Sequence, residues 1–493
     1  MIIADLLEGL EVKEREGSLD TEVMGIAYDS RSVAEGFLFV AIKGLSFDGD
    51  DFIKDAINRG ATAVLTESPI ADMYASYQPS LLSGVTCIEV HDSRNALALI
   101  SARFYGEPSK KISLVGITGT NGKTTTSYIT KSIIEAGGKR AGLLGTIQYI
   151  AGETKKAERT TPESLDLQRY LREMLDNGME YAVIEVSSHA LALQRVDQCV
   201  FKVAAFTNFT QDHLDFHGSM ENYFIAKDKL FNYLGEEGTA VLNWDDPAVR
   251  EVEERLGCDV VTCGLLEGAT IRAENIDDKD GLSFDLITPG GRFRARSEFI
   301  GRFNVYNILI SVGIAYALGI GEDAILRGIA EARPVSGRFE KVDEGQDFLC
   351  IVDYAHTDDA LKAVINEARM ITKGRVITLF GCGGDRDKTK RELMGDAASE
   401  LSDLVIVTSD NPRTEDPLQI ISDIVKGIKK KNYIEVPDRA EAINKAVSMA
   451  EAGDVLLFAG KGHEDYQEIS GMRYPFSDKE VLREALKNIK GKK

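Results

Sequence analysis

Short uninterrupted apolar runs recur along this chain at intervals that helices fill, and their spacing divides it into three stretches. Up to about residue 110, "FLFVAIKG", "ATAVLTE" and "TCIEVHD" alternate with helical patterns and close at the turn-like "YGEPSKK". This reads as a small α/β domain over residues 1–110. A second stretch, 111–335, opens on "KISLVGI", and its later runs "YAVIEVSS" and "KVAAFTNF" are apolar on both faces. Such runs predict buried parallel strands. The stretch continues through "GTAVLNWDDPAV" to a helix predicted near 304–319. The third, 336–493, starts around "ARPVSGRFEKV", and its runs "FLCIVDYA", "RVITLFGC", "DLVIVTSD", "NYIEVPD" and "DVLLFAG" alternate with five helical patterns. That alternation predicts a doubly wound α/β domain whose ligands gather at the carboxyl ends of its strands. "GCGGDRD", "DNPR" and "GKGHED" all fall at such ends.

Composition narrows the partners. With 493 residues the chain accommodates domains of these sizes. Its 58 Lys+Arg against 79 Asp+Glu leave a net charge of −21, which argues against nucleic acid or an anionic membrane as the main partner. An anionic small molecule held by a few placed cations stays open. Met1 leads into "IIADLLEGLEVKEREG", which is no signal peptide, and stretches such as "NILISVGIAYALGI" are too short to span a membrane. The six cysteines are scattered. Only Cys258 and Cys263 are close, with no second Cys/His pair to complete a zinc site, so free thiols in the cytoplasm are expected.

"ISLVGITGTNGKTTTSYITKSII" is an apolar strand, a glycine-bearing turn and a helix start. That order aims backbone N–H groups and a helix N-terminus at a phosphate. Gly119 and Gly122 let the backbone close on the anion, Lys123 reaches the outer phosphates, and the Thr124 hydroxyl suits Mg²⁺. The strict P-loop spacing is not met: Ile117 stands where the first glycine belongs, with Gly116 one residue early. A variant loop is implied; an ordinary glycine turn with a surface lysine is the alternative. Glu185 ends a buried strand, where a metal would compensate its charge. "TNFTQDHLDFHGSMENYF" crowds Asp212, His213, Asp215 and His217 after another strand, and Asp215 and His217 equally suit bracing the loop. Lys227 in "YFIAKDKLF" shares a partly apolar helix face with Tyr223 and Phe231, and such a lysine ordinarily snorkels to water or pairs with a carboxylate.

Taken in order, "TGTNGKTTT", "TTPESLDLQ", "EVSSHALALQRV", "TNFTQDHLDFHGSMENYFIAKDKLF", "GRFNVYN", "GRFE", "VDYAHT", "GCGGDRDKTKR", "DNPR" and "GKGHEDYQ" resemble the MurE branch of the Mur ligase family, from about residue 25 to 480. The resemblance implies three domains: a nucleotide-sugar domain, a central ATPase and a C-terminal Rossmann-like domain. It implies an ATP- and Mg²⁺-dependent ligase acting on UDP-N-acetylmuramoyl-L-alanyl-D-glutamate, held by Ser30, Thr160, Thr161, Ser187 and Arg195. ATP would sit on Gly119, Thr120, Asn121, Gly122, Lys123, Thr124 and Thr125, with Asn304, Arg338 and Asp353. Lys123, Glu185, His213 and Lys227 would be catalytic, with Thr124, Glu185, His213 and a carbamylated Lys227 (N6-carboxylysine) as metal ligands. The incoming amino acid, meso-diaminopimelate, would meet Arg386, Asp410, Asn411, Pro412, Arg413, Gly460 and Glu464. Arg413 suits its distal carboxylate, whereas relatives that add L-lysine usually lack this arginine. Some relatives carry His-Gln-Ala where this chain has Leu45, Ser46 and Phe47, and glutamine where it has Leu193. An L-lysine-adding enzyme, a folylpolyglutamate-synthase-like ligase, a plain phosphate-loop NTPase and a non-catalytic sugar-nucleotide binder are the alternatives. A cytoplasmic monomer is expected.

Overall fold

The computed structural model describes residues 1–44, 47–278 and 281–490, so Leu45 and Ser46 lie outside the described residues, while Phe47 is exposed. The run "NILISVGIAYALGI" lies in and just beyond the helix Phe303–Ala317; the other long apolar runs become strands, most of them covered on both faces. In the first sheet the spatial order is Val12–Glu16, Thr86–Val90, Ala61–Thr66, Phe37–Val40, Gly25–Ala27, parallel except for the first pair. Leu38, Ala63, Leu65 and Ile88 face the helix Ser93–Phe104, while Phe39, Val64 and Cys87 pack against Ile53 and Ala56 on the other side. Alternate residues of one strand thus feed two cores, which explains the unbroken hydrophobicity.

The central sheet has eleven strands. Its parallel core runs Ala141–Leu144, Tyr181–Glu185, Ser113–Thr118, Phe201–Phe206, Leu234–Asn243, Asp259–Gly264, Ile271–Asp277. Val115 and Ile117 point to Ile129, Ile133, Ile308 and Val312 on the helices Lys123–Ala136 and Phe303–Ala317, and Leu114 points into the opposite cluster. The third sheet runs Glu340–Val342, Leu349–Asp353, Val455–Ala459, Val376–Phe380, Leu404–Val407, Tyr433–Glu435, parallel after its first pair.

The structure adds strands that the hydrophobic pattern does not announce. Leu282–Thr288 and Gly291–Ser297 extend one edge of the central sheet antiparallel, Gln148–Ile150 and Thr154–Lys156 the other, and Tyr466–Ile469 pairs with Met472–Pro475 as a separate hairpin. "TKK" and "MRYP" are exposed throughout, and "GRFRARS" buries little beyond Ala295 and Ser297. One-faced or two-faced solvent contact permits charged residues in strands, so no apolar run marks them.

Side-chain contacts join the units. Tyr28 donates to Asp166 (2.7 Å) and Gln194 to Asp92 (2.9 Å) between the first and central sheets. Lys390 reaches Asp212 (3.1 Å) and Lys156 reaches Asp465 (2.5 Å) between the central and third. Among the described residues no helix is long and apolar enough to cross a membrane.

Candidate active site

The strand Ser113–Thr118 turns into the helix Lys123–Ala136 through a loop that only glycine permits at two points. Gly119 (φ +141°) and Gly122 (φ +85°) lie in the left-handed region. A Cβ on the first would collide with Thr207 Oγ1, and on the second with Asn307 Oδ1. Asn208 takes the Thr120 N–H on its carbonyl oxygen (2.9 Å) and the Asn121 N–H on its side-chain oxygen (2.8 Å). The first intrahelical bond runs from Thr126 N–H to Gly122 O (2.9 Å), so among the described residues the amides of Lys123, Thr124 and Thr125 have no intrahelical acceptor at the helix start, a ready anion cradle. Asn304 supports it at one remove, accepting from Asn307 (2.8 Å) and donating to Ile300 O (2.8 Å).

Glu185 is fully buried at the end of its strand, as its sequence position suggests. Its Oε2 accepts from Thr124 Oγ1 (2.8 Å) and Thr146 Oγ1 (2.9 Å), and Oε1 from Thr146 N–H (3.0 Å). These donors are neutral groups, and they set both carboxyl oxygens beside a hydroxyl at the phosphate loop. That pairing of hard oxygens fits Mg²⁺. Among the described residues no three His, Cys, Asp or Glu side chains gather closely enough to hold a metal by themselves. The donor set therefore suits an ion that takes its remaining ligands from phosphate and water, as Mg²⁺ does.

Two lysines share one carbonyl. Lys123 Nζ donates to Gly119 O (2.8 Å) and Thr120 O (2.9 Å), and Lys227 Nζ donates to the same Gly119 O (2.7 Å). Lys227 is fully buried, 4.5 Å above the Tyr223 ring. It neither snorkels nor meets a carboxylate, so the ordinary reading of a lysine on an apolar face does not hold. Burial, with the Lys123 charge adding to it, holds its ammonium well below the usual lysine range. Nearby, His213 adopts φ +51° and places Nε2 3.3 Å from Asp212 Oδ2, and burial pushes its imidazole down against the pull of that carboxylate. His217 Nε2 lies 3.0 Å from Ser188 Oγ, a bracing contact.

Four of the five residues expected to hold the sugar-peptide substrate converge on the end of the Glu185 strand. Thr161 Oγ1 donates to Glu185 O (2.7 Å) and accepts from Ser187 N–H (3.1 Å), Thr160 Oγ1 lies 3.2 Å from Thr146 Oγ1, and Arg195 Nη1 donates to Thr161 O (3.2 Å). Arg195 Nε sits 3.3 Å from buried Glu163. Ser30 stands apart, buried in the turn Ser30–Ser32 of the first unit. Leu193 caps the short helix Ser188–Ala192.

From the third unit, Arg338 stacks on Tyr354 (4.6 Å) and extends Nη2 to 3.5 Å from Thr124 Oγ1, directly at the phosphate loop. Asp353 spends both oxygens on backbone amides, those of Phe339 and Ala355 (2.7 Å each), and so fixes the segment that carries Arg338. Burial raises its carboxyl, opposed by Arg338.

The loops "GCGGDRD", "DNPR" and "GKGHED" meet at the carboxyl end of the third sheet. Lys461, fully buried, contacts Asp410 (3.4 Å), Asn411 (3.0 Å) and Glu464 (3.1 Å), and Asn411 also donates to Glu464 (2.8 Å). Gly460 (φ +109°) lets the backbone pass beside Asp410. Pro412 is buried, and its carbonyl lies where a Cβ on Gly384 would be. Arg413 holds φ +52°, donates Nη1 to Gly384 O (2.6 Å) and places Nε 3.8 Å from Glu468. It does not pair across its own turn: Glu415 is taken by Arg391 (2.8 Å), and Asp416 caps the following helix at Leu418 N–H (2.9 Å). Arg386 is exposed on the neighbouring loop. Sequence reasoning missed Lys461, Thr146, Thr207, Asn208 and Asn307. Lys461 alone had a signal, a charge two residues beyond a wholly apolar strand.

Three family models cover the chain in order: the Mur ligase family catalytic domain over residues 22–105, the Mur ligase middle domain over 117–315 and the Mur ligase glutamate ligase domain over 337–462. This chain belongs to the Mur ligase family. Mur ligases are ATP-dependent amide ligases, and the chain is one of them. It is 48% identical to the UDP-N-acetylmuramoyl-L-alanyl-D-glutamate–2,6-diaminopimelate ligase of Solibacter usitatus, over 95% of this chain and 94% of that one. It is 44% identical to the ligase of the same name from Bacillus licheniformis, over 96% of each. A solved structure of a ligase of that name superposes with a TM-score of 0.67 at 30% identity, covering 99% of both chains. The Mur ligase fold therefore accounts for the three sheets and the order in which they occur.

Proposed function

We propose that this chain joins meso-diaminopimelate to the D-glutamate of UDP-N-acetylmuramoyl-L-alanyl-D-glutamate at the expense of ATP, a step of peptidoglycan precursor synthesis. The observation that carries the choice of amino acid is the "DNPR" loop, in which Arg413 Nη1 is anchored on Gly384 O (2.6 Å) while Asp410, together with Glu464, gathers around Lys461. A zwitterionic head needs both signs, and an arginine fork suits a carboxylate.

A free carboxylate resists amine attack, so the γ-phosphoryl group of ATP is first moved to the D-glutamate side-chain oxygen, giving an acyl phosphate and ADP. The amine nitrogen then bonds to the acyl carbon, the phosphate leaves with the C–O electron pair, and the amine loses its proton. The free amides at the helix start and Lys123 hold the phosphates, and Arg338 approaches them from the third unit. Thr124 and Glu185 would hold one Mg²⁺, and His213 with carbamylated Lys227 a second; the ions supply neutralisation of phosphoryl charge. The depressed Lys227 ammonium supports that modification, because the neutral amine is the form that adds CO₂. Thr160, Thr161, Ser187 and Arg195 hold the peptide end beside Glu185, while Ser30 serves the nucleotide end. We place the reaction in the cytoplasm, whose reducing conditions suit six free cysteines, and in a monomer.

The test is ADP release by purified protein with ATP, Mg²⁺ and the UDP-linked substrate, in parallel with meso-diaminopimelate, L-lysine or no amino acid. Strong turnover with diaminopimelate supports the reading. Preference for L-lysine keeps the family and removes the role given to Arg413, and turnover indifferent to amine indicates a plain NTPase.

A further inference from the structure

The strands that carry two of the amino-acid loops are not neighbours. Leu404–Val407 leads into "DNPR" and Val455–Ala459 into "GKGHED", and Val376–Phe380 lies between them in the sheet, so neither is paired with the other. Beyond the strand ends, Lys461 ties the loops together through Asp410, Asn411 and Glu464. Those carboxylates are also the groups an incoming ammonium would take, so this tie has to exchange partners when the amine donor binds.

A second tie lies at the loop roots, and it is sealed from solvent. Arg439 opens the helix Arg439–Met449 and is fully buried, as is its partner Asp478 at the start of the helix Asp478–Lys490. Nε and Nη2 form a fork on the Asp478 carboxylate (2.7 and 2.6 Å). Nη1 donates to Ser409 O (3.3 Å), and Nη2 donates also to Ala459 O (2.9 Å). Ser409 immediately precedes Asp410, and Ala459 immediately precedes Gly460. One planar guanidinium therefore reaches across the intervening strand and fixes the backbone at the root of each loop. Burial opposes its charge, but Asp478, with the charges of Asp410 and Glu464 adding, holds it above the usual arginine range. Stability alone is a weak account of such a pair, because an apolar pair of similar volume is often as stable in its place. What an apolar pair lacks is the two bonds to the loop carbonyls.

We infer that Arg439 is a positioning residue for the amino-acid site: clamped by Asp478, it keeps the "DNPR" and "GKGHED" loops at the separation from which Asp410 and Glu464 receive the amine donor. The inference rests on the reading of these loops as the diaminopimelate site.

The double variant Arg439→Met/Asp478→Val separates this role from support of the core. Replacing both partners leaves no charge of the pair buried alone, and Arg439→Lys, measured beside it, keeps a cation for Asp478 without the fork. Thermal unfolding is followed for each protein, and KM is measured for meso-diaminopimelate, ATP and the UDP-linked substrate, each varied with the others saturating. In each variant that folds, KM for diaminopimelate rises about tenfold, and at least about threefold, while the other two KM values move by less than about threefold. A smaller rise for diaminopimelate in either variant, or three KM values rising together, overturns the inference. So does failure of both variants to fold, which makes the pair a support of the core. A wild type without amine-dependent turnover overturns instead the ligase reading beneath it.

Discussion

Arg413→Ala is the perturbation that most directly tests how the amino acid is chosen. The guanidinium is about four-fifths buried, with Nη1 anchored on Gly384 O at 2.6 Å, so its orientation is set before any ligand arrives. A charge-assisted hydrogen bond at such a site is worth about 1.5–3 kcal/mol, against less than about 1 for an exposed pair. At about 1.4 kcal/mol per factor of ten, deletion raises KM for meso-diaminopimelate roughly 10- to 150-fold. The arginine touches neither the phosphate loop nor the Glu185 strand end, so kcat falls little and KM for ATP stays within about twofold. L-lysine, which never used the guanidinium, loses nothing and gains from the removal of a like charge. Steady-state ADP release with each amine varied in turn reads all of these. A KM for diaminopimelate that moves less than about threefold, or one that moves in step with KM for ATP, refutes the reasoning.

Three further predictions concern other parts of the molecule. Gly122→Ala puts a Cβ into a φ +85° position and against Asn307 Oδ1; backbone strain alone costs about 1–2 kcal/mol, so thermal unfolding shifts down and ADP no longer protects as well. Lys227→Gln removes the amine that would be carbamylated, and kcat drops about 10²- to 10³-fold, while the wild type loses activity in CO₂-depleted buffer and regains it with bicarbonate. Recovery in the variant on adding bicarbonate, or indifference of the wild type to depletion, contradicts the modification. The hydrogen bond from buried Arg391 lowers the Glu415 carboxyl from 4.5 to about 2. A depressed folded value stabilises at pH above 4.5, and the contribution disappears as pH falls from there towards 2, so acid unfolding of Glu415→Gln, followed by circular dichroism, is the shallower of the two.

Much of the fold is legible because buried parallel strands need apolar residues on both faces. Leu114 and Val115 serve opposite cores, and no polar residue is tolerated between them. The edge strands escape for the same physical reason in reverse: "RFRARS" and "TKK" face water, and their pairing is held by backbone bonds that carry no side-chain signature. Loop chemistry is similarly readable where a residue type is forced. Gly119 and Gly122 are glycines because a side chain has nowhere to go, and Glu185 draws notice as a carboxylate at a strand's buried end.

What stays hidden is the compensation of charge over long sequence distances. Lys227 looks unremarkable on its helix, and its meaning comes from Gly119 O, 108 residues away, where Lys123 already donates. Lys461 sits 50 residues from Asn411, and Arg439 reaches 39 residues to Asp478 with both side chains fully buried. For Arg439 and Lys461 the desolvation of the charge is offset in part by a carboxylate brought in from a distant segment. The two fully buried lysines differ in what surrounds them. Lys461 has two carboxylates and an amide within reach, whereas Lys227 has a carbonyl, an aromatic face and a second lysine. Burial and the neighbouring Lys123 charge lower the Lys227 ammonium well below the usual lysine range, opposed by Asp212, which is the environment the proposed modification requires. Periodicity assigns both residues to ordinary places, and only their partners distinguish a cation paired with carboxylates from one set on a carbonyl and an aromatic face.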